Sequence, residues 1–376
     1  MNQRAKISVV IPTFNRAPTL SKTLDALHAQ TLRDFEIILV DDGATDETRE
    51  VVEGFQKIFA GGVHKKHGGE VSARFVEKFS GERKEIPDQV SLREPVRNDN
   101  SRDDGLLADS SLLYLHQKNQ GQGIARNFAV AHAKAPITLF IGDDIIATPT
   151  FLAEHVRQHE AHLEENAAVL GFIDWHPDLA LTPFMKWMTN GSCILGRYGG
   201  HQFAYEKLEN RATAHRHMKF FRETRTTADY NFFYTSNISL KTSLLRRYPF
   251  DSAFQKYGWE DIELGYRLTQ KENLVVYYAP QAKAFHYHPM DENSLAPRMR
   301  QIGASAHIID HKYPELRKIP SRFKKIIFGF ISSWPILVFF DMMRKILRWQ
   351  AVHDYYYYAL SKKYFLEGVE RKPHAH

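Results

Sequence analysis

Ile137-Thr138-Leu139-Phe140-Ile141-Gly142-Asp143-Asp144 is a short apolar run that closes on two adjacent carboxylates. A run of this length reads as a buried strand. Upstream, Phe35–Val40 closes in the same way on Asp41-Asp42. Downstream, Glu260-Asp261 ends Tyr257-Gly258-Trp259-Glu260-Asp261 and opens a helix-like stretch. Ligands of open α/β sheets bind in the crevice outside the carboxyl ends of the strands. Carboxylates at those ends therefore mark a binding site.

The flanking pattern predicts such a sheet. Ile7–Ile11 is a strand stopped by Pro12, and Leu20, Leu24 and Leu27 follow at helical spacing, predicting a helix over Ala17–Gln30. Asp46 is placed to cap the next helix, with Val51, Val52, Phe55 and Phe59 on its apolar face. Leu112–His116 and Ala167–Ile173 extend the strands; Gly123–Ala133 and Thr150–Leu163 read as helices. The alternation predicts an α/β fold with a mostly parallel sheet, all strands running one way.

The pattern breaks between about residues 60 and 111, which carry Gly61-Gly62, Gly68-Gly69, Pro87, Pro95 and the polar run Arg97–Asp104. This reads as a long polar insertion, a surface loop or a lid, with a short helix near Glu70–Phe79. The stretch from about 176 to 257 is less regular and rich in aromatics and histidines.

The chain has 376 residues, 43% hydrophobic and 25% charged, enough for one large globular domain or two smaller ones. Its single cysteine, Cys193, excludes an intrachain disulfide and suits a reducing cytoplasm. Ile7–Ile11 is too short for a signal-peptide core, so a cytoplasmic location is expected. The net charge is +6, with much of the excess beyond residue 297 at Arg322, Lys324, Lys325, Arg344, Lys345 and Arg348. That favours anionic partners, either phosphates or an acidic membrane surface. Nucleic acid is not expected, for want of a finger, zipper or RNA-binding signature.

Beyond residue 290 the chain reads as mostly helical. Ile326–Phe340 is an apolar run of 15 residues between basic flanks. Spanning a bilayer takes about 20. The run is either a buried helix pair or an interfacial segment with Trp334 and Trp349 at headgroup level, a peripheral contact at the cytoplasmic face of a membrane.

The chemistry follows from residue types. The turn Pro12-Thr13-Phe14-Asn15-Arg16 is placed to offer donors to a nucleotide. Asp42 suits the N3–H of uracil or thymine, although Asp41–Asp46 equally suits a tight turn and cap. Asp143 and Asp144 repel one another unless a cation or a donor relieves them, and Mg2+ or Mn2+ on a diphosphate would do so. Glu260 and Asp261 start a helix, where the dipole favours negative charge, as caps or as a general base toward a sugar hydroxyl. His286 or His288 is a candidate to complete a metal site.

Together these segments resemble the inverting family 2 glycosyltransferases of GT-A fold. The resemblance rests on Val9–Arg16, Val40–Asp46, Asn119-Gln120-Gly121 through Ala125-Arg126-Asn127, Phe140–Asp144, Thr235–Ser239 and Gly258–Asp261, in the family's order. It implies a GT-A domain over residues 1–290, with a nucleotide-sugar half to 150 and an acceptor half beyond. A helical extension, 291–376, would follow. It implies that Thr13 and Asp42 contact the nucleoside, with Pro12, Asn15, Arg16 and Gly121 in the donor site and Arg126 near the base or diphosphate. Asp143 would contact ribose or the donor sugar, Asp144 would bind Mn2+ or Mg2+, and His286 (or His288) would be a second ligand. Asp261 would be the catalytic base and Glu260 would position the acceptor. Gly142 stands where many relatives carry the first acid of the metal motif, so metal contact rests on Asp144.

The expected activity is transfer of a sugar, from a UDP- or dTDP-sugar by preference, to a hydroxyl of a glycan or lipid-linked acceptor in cell-surface polysaccharide synthesis. A degenerate GT-A-like module that binds without turnover is the competing class. A nucleotidyltransferase would need a Gly-rich, Lys-containing phosphate loop, which Pro12–Arg16 does not supply.

Overall fold

The structure is a computed structural model describing residues 5–60, 111–190, 192–193, 196–197 and 227–371. The polar insertion, with the helix expected near Glu70–Phe79, and most of residues 191–226 lie outside the described residues. The chain order is β1 (Ile7–Thr13), α1 (Ala17–His28), β2 (Phe35–Asp41), α2 (Thr48–Ala60), β3 (Ser111–His116), α3 (Gln122–His132), β4 (Ile137–Ile141), β5 (Ile145–Ala147), α4 (Phe151–Ala161), β6 (Ala167–Trp175) and α5 (Pro183–Asn190). A small hairpin, β7 (Ser192–Cys193) and β8 (Gly196–Arg197), precedes β9 (Thr227–Ala228), β10 (Asn237–Lys241), α6 (Thr242–Arg247), α7 (Glu260–Glu272) and β11 (Val275–His286). Helices α8 (Leu295–Lys312), α9 (Arg322–Ile331), α10 (Trp334–Leu347) and α11 (Gln350–Glu370) end the described chain.

The main sheet has the order β3-β2-β1-β4-β10-β6-β11-β5, with β9 on β11. Strands β1, β2 and β4 are buried along their whole length, as their near-continuous apolar sequences require when both faces of a parallel sheet are covered. On α2, Val51, Val52, Phe55 and Phe59 are all buried. Asp46 accepts from Thr48 N at 3.2 Å and from Ala17 N at 2.9 Å, so one carboxylate serves the starts of two helices.

Two expectations are corrected. Pro12 does not end β1, which runs to Thr13. Pairing with β4 stops at Val10, while Thr13 C=O accepts from Asp42 N on the β2 side. Pro12, facing the opposite side, therefore withdraws no donor from a ladder. Nor do all strands run one way, because β10 is antiparallel to both β4 and β6, and β5 is antiparallel to β11. The chain enters β10 at the carboxyl edge of the sheet, where Asn237 lies opposite Ile141, so it can only run back. Strand β11 reaches His286 through an irregularity between Ala279 and Lys283.

Reversal of β10 and the hook of β5 shape the site. Ile145 of β5 lies opposite His286 of β11, and Tyr287 N donates to Asp144 C=O at 2.8 Å. The chain after β4 is thus pinned across the carboxyl edge of the sheet. Under β10, buried Asn237 and Ser239 are bonded to His155 (2.8 Å each), and Ser239 also to His159 (2.9 Å). Burial pushes these histidines down to about 4 and about 3, so both are neutral at pH 7.

The C-terminal helices pack beside the sheet. Helices α8 and α11 cross at Gly303 and Gly368, where a Cβ on either would strike the other helix's backbone. Arg300 and Glu367 close the crossing at 2.7 Å. Helices α9 and α10 meet at 45° through Ser332-Ser333; of their residues only Ile331 and Leu337 are buried, which overturns the buried-pair alternative. Phe323, Ile326, Phe330, Trp334, Ile346 and Trp349 are all at least 65% exposed. Among the described residues no single helix is long and apolar enough to cross a membrane; the bent pair meets those criteria only as two helices taken together. Arg344, expected among the free cations, is instead tied to Asp341 at 2.7 Å and Glu292 at 3.0 Å.

Candidate active site

A cavity of about 320 Å3 opens at the carboxyl edge of the sheet. Ten of the twelve expected site residues line it: Pro12, Thr13, Arg16, Asp42, Arg126, Asp143, Asp144, Glu260, Asp261 and His286. Asn15 and Gly121 do not line it. Asn15, at φ 54°, accepts from Thr45 N at 2.7 Å, and Gly121 N donates to Asp42 at 2.9 Å. Asp42 also accepts from Gln117 Nε2 at 2.7 Å and Gln120 N at 2.9 Å. Three of about four acceptor positions on its carboxylate are thereby filled by the loop before α3. Asp41 is the turn residue, accepting from Ala44 N and Tyr114 Oη at 2.6 Å each.

The Asp143-Asp144 pair is neutralised from within the chain. Asp143 accepts from Thr13 Oγ1 at 2.8 Å and lies 3.5 Å from Arg16, whose Nη1 is hydrogen-bonded to Asp144. Burial, with the Asp144 charge beside it, pushes Asp143 up to about 7. Burial opposes ionisation of Asp144 too, but His286 and Arg16 outweigh it and hold this carboxyl below the usual range. Arg16 is the partner that persists at neutral pH, because burial pushes His286 down to about 4.

For a divalent metal the chain offers Asp144 Oδ2 and His286 Nε2, 3.4 Å apart. A hard carboxylate oxygen and a neutral imidazole are acceptable to Mn2+, and Mg2+ or Mn2+ at phosphate sites needs only one or two protein ligands. The donor set fits on that basis. Among the described residues no group of three or more His, Cys, Asp or Glu side chains forms a metal cluster, so substrate oxygens would have to complete the shell. At Gly142 a Cβ would lie 2.8 Å from Asp144 Oδ1, so a side chain here would shift that carboxylate.

Glu260 and Asp261 stand at the start of α7, after a loop with Gly258 at φ 121° and Trp259 at φ 69°. Left-handed backbone at a tryptophan is uncommon and must be held by its surroundings. Trp259 Nε1 donates to Ile302 C=O of α8 at 2.9 Å, and Lys318 Nζ lies 4.8 Å from the ring centre. Asp261 Oδ2 accepts from Thr235 Oγ1 at 2.8 Å, just before β10. Its Oδ1 faces Arg126 Nη1 at 3.5 Å. Asp261 Oδ1 and Arg126 Nε and Nη1 are buried without a hydrogen-bond partner among the described residues. Burial, then the Asp261 charge, pushes Glu260 up to about 7.

Sequence reading gave no role to Thr235, Tyr257 or Arg298, which also line the cavity. Thr235 lay within a quoted motif. Arg298 comes from α8, and no local signal ties it to the site.

Fold and site define a GT-A-type sugar transferase. The chain belongs to glycosyl transferase family 2, whose model matches residues 8–73 and 98–248. It is 26% identical over 270 residues to the validoxylamine A glucosyltransferase of Streptomyces hygroscopicus, covering 70% of this chain and 51% of the relative. It is 22% identical over 319 residues to the chondroitin synthase of Escherichia coli, covering 82% of this chain and 38% of the relative. The chain thus spans about half or less of the length of these relatives. Among solved structures it resembles a mannosyltransferase from Pyrobaculum calidifontis in complex with GDP-Man and Mn2+. The TM-score is 0.53 at 15% identity, covering 98% of this chain and 87% of that one. Homologues act in polysaccharide and glycoconjugate synthesis.

Proposed function

We propose that this glycosyltransferase inverts the anomeric centre of a nucleotide-diphosphate sugar as it passes the sugar to an acceptor hydroxyl. The observation that carries the reading is the position of Asp261 on the wall of two cavities, one holding the Asp143-Asp144 pair and the other running under α8, α9 and α11. A donor in the first and an acceptor in the second would meet at this carboxylate. Asp261 then takes the hydroxyl proton as the acceptor oxygen bonds to the anomeric carbon. The bond from that carbon to the diphosphate breaks on the opposite face.

Thr235 holds the carboxylate through Oδ2 and leaves Oδ1 without a hydrogen-bond partner among the described residues, facing Arg126. Glu260, held by Gly258 N at 2.9 Å, positions the acceptor. Arg126, with two uncommitted nitrogens, is suited to the donor diphosphate. Asp144 and His286 would hold Mn2+ or Mg2+, which supplies a Lewis acid for the departing diphosphate. The remaining acceptor position on Asp42 suits a ring N–H. Uracil and thymine offer one, and so does guanine, the base of the ligand in the Pyrobaculum enzyme.

The exposed apolar face of α9 and α10, with exposed Arg322, Lys324, Lys325, Lys345 and Arg348 at its ends, suits peripheral contact with an acidic membrane. The enzyme would then work at the cytoplasmic face, on a glycan or lipid-linked acceptor. Incubation with a panel of UDP-, dTDP- and GDP-sugars and Mn2+ tests the activity: one donor should release its nucleoside diphosphate. Binding without release from any donor would favour the degenerate module. Retention of anomeric configuration in the product, read by proton NMR, would overturn the single displacement.

A further inference from the structure

Helix α8 meets two neighbours through two stripes of side chains. Arg298, Ile302 and Ser305, spaced four and three apart, share one face and meet the loop Tyr257-Gly258-Trp259 just ahead of Asp261. The Arg298 guanidinium lies 4.6 Å from the Tyr257 ring centre and is hydrogen-bonded to its hydroxyl. Ile302 C=O accepts from Trp259 Nε1 at 2.9 Å, and Ser305 Oγ donates to Tyr257 C=O at 3.4 Å. The second stripe faces α11. Arg300 pairs with Glu367 at 2.7 Å, a Cβ at Gly303 would strike the Phe365 carbonyl, and His307 Nε2 donates to Val369 C=O at 2.6 Å. The last helix thus fixes α8, and α8 fixes the loop. The loop shares the wall of the second cavity with Lys318 and Lys362.

The loop needs that support. Trp259 holds φ 69° and ψ -10°, a conformation that L side chains avoid unless their surroundings impose it. Its carbonyl accepts an early hydrogen bond of α7, from Glu263 N at 2.8 Å. The backbone of Trp259 therefore sets the direction in which α7 starts, and with it the place of Asp261 two residues on. Gly258 brings the loop close to α8: at φ 121°, a Cβ there would lie 3.1 Å from Ile302 Cα. Thr235 grips the Asp261 carboxylate from the β10 side, through its N–H at 3.2 Å and its hydroxyl at 2.8 Å. We propose that Trp259 is a positioning residue for the transfer reaction. Its indole N–H, pinned on the Ile302 carbonyl, holds the start of α7 where the Asp261 carboxylate reaches the acceptor hydroxyl. The inference rests on Asp261 being the base. A misplacement of about 1 Å in a reacting group costs on the order of a hundredfold in rate. Donor binding, assigned to Asp42 and the Asp143-Asp144 pair, does not draw on this brace.

The test uses the full chain and the nucleotide sugar that the donor panel selects, with water as the acceptor and released nucleoside diphosphate as the signal. Trp259→Phe keeps an aromatic ring but removes the indole N–H. It should lower kcat about tenfold and leave donor KM within about twofold. In the Asp261→Asn background the same change should cost less than about twofold, because groups that act through one another are not additive. Gly258→Ala, which pushes the loop off Ile302, should give the same pattern, with melting curves to confirm that each variant folds. A tenfold loss that persists without the Asp261 carboxylate would mean that Trp259 acts independently of it, and the proposal fails. Unchanged kcat, or a loss confined to KM, overturns it as well. Near-wild-type hydrolysis by Asp261→Asn alone is a different result: it removes Asp261 as the base, and this proposal with it.

Discussion

Asp143-Asp144 and Glu260-Asp261 are both adjacent carboxylates at one edge of one sheet, yet they are neutralised differently. The first pair is answered within the chain, by Thr13 Oγ1 at 2.8 Å and the Arg16 guanidinium. The second is left open, with Asp261 Oδ1 facing Arg126 at 3.5 Å and several polar atoms on both uncommitted. A satisfied pair suits holding charge in place and an open pair suits the arrival of a proton or a phosphate oxygen; under the proposed function that asymmetry separates binding from turnover.

The strongest way to break this contrast is Asp261→Asn. Turnover should fall by about a thousandfold, within the range for a positioned general base, while donor affinity measured by calorimetry stays near wild type. A parallel loss of donor affinity would make the second pair a binding site like the first. Asp144→Asn should do the reverse, weakening metal-dependent donor binding and lowering kcat/KM by more than about a hundredfold. Chelation with EDTA should mimic it, and Mn2+ should restore only the wild type.

Gly142→Asp sharpens the comparison from the other side. Its Cβ would displace the Asp144 carboxylate from Arg16, so a drop of about tenfold in Mn2+ affinity is expected, read by metal titration. The smallest effect concerns stability. Glu260 is raised from the ordinary carboxyl value to about 7, so below pH 4.5 its carboxyl is neutral in the folded and unfolded states alike. As pH climbs through 7 it ionises in a desolvated position and stability is lost. Glu260→Gln should therefore raise Tm over wild type more at pH 8 than at pH 5. An equal difference at both values would remove burial as the cause.

How far the sequence carried these conclusions differed along the chain. Strands β1, β2 and β4 were legible because both faces are covered and their apolar runs are continuous. Strand β10 was not, since Asn237-Ile238-Ser239-Leu240-Lys241 alternates like a half-exposed strand although Asn237 and Ser239 are fully buried. Its polar side chains are satisfied by His155 and His159, and side-chain partners so distant in sequence leave no local pattern. The carboxylate pairs were legible by their position after strands. Arg298, Lys318 and Lys362 were not, since their approach depends on the glycine-to-glycine crossing of α8 and α11. The matched family segment ends at residue 248, before Glu260-Asp261 and all four C-terminal helices.

That crossing also sets a timetable for the molecule. Trp259 leaves the ribosome 43 residues ahead of Ile302, its carbonyl partner, and Arg300 emerges 67 ahead of Glu367. The loop carrying Asp261 therefore emerges before the helix whose Ile302 carbonyl braces it. The crevice at the carboxyl edge of the sheet is likewise unfinished until Arg298 of α8, which lines it, has been made.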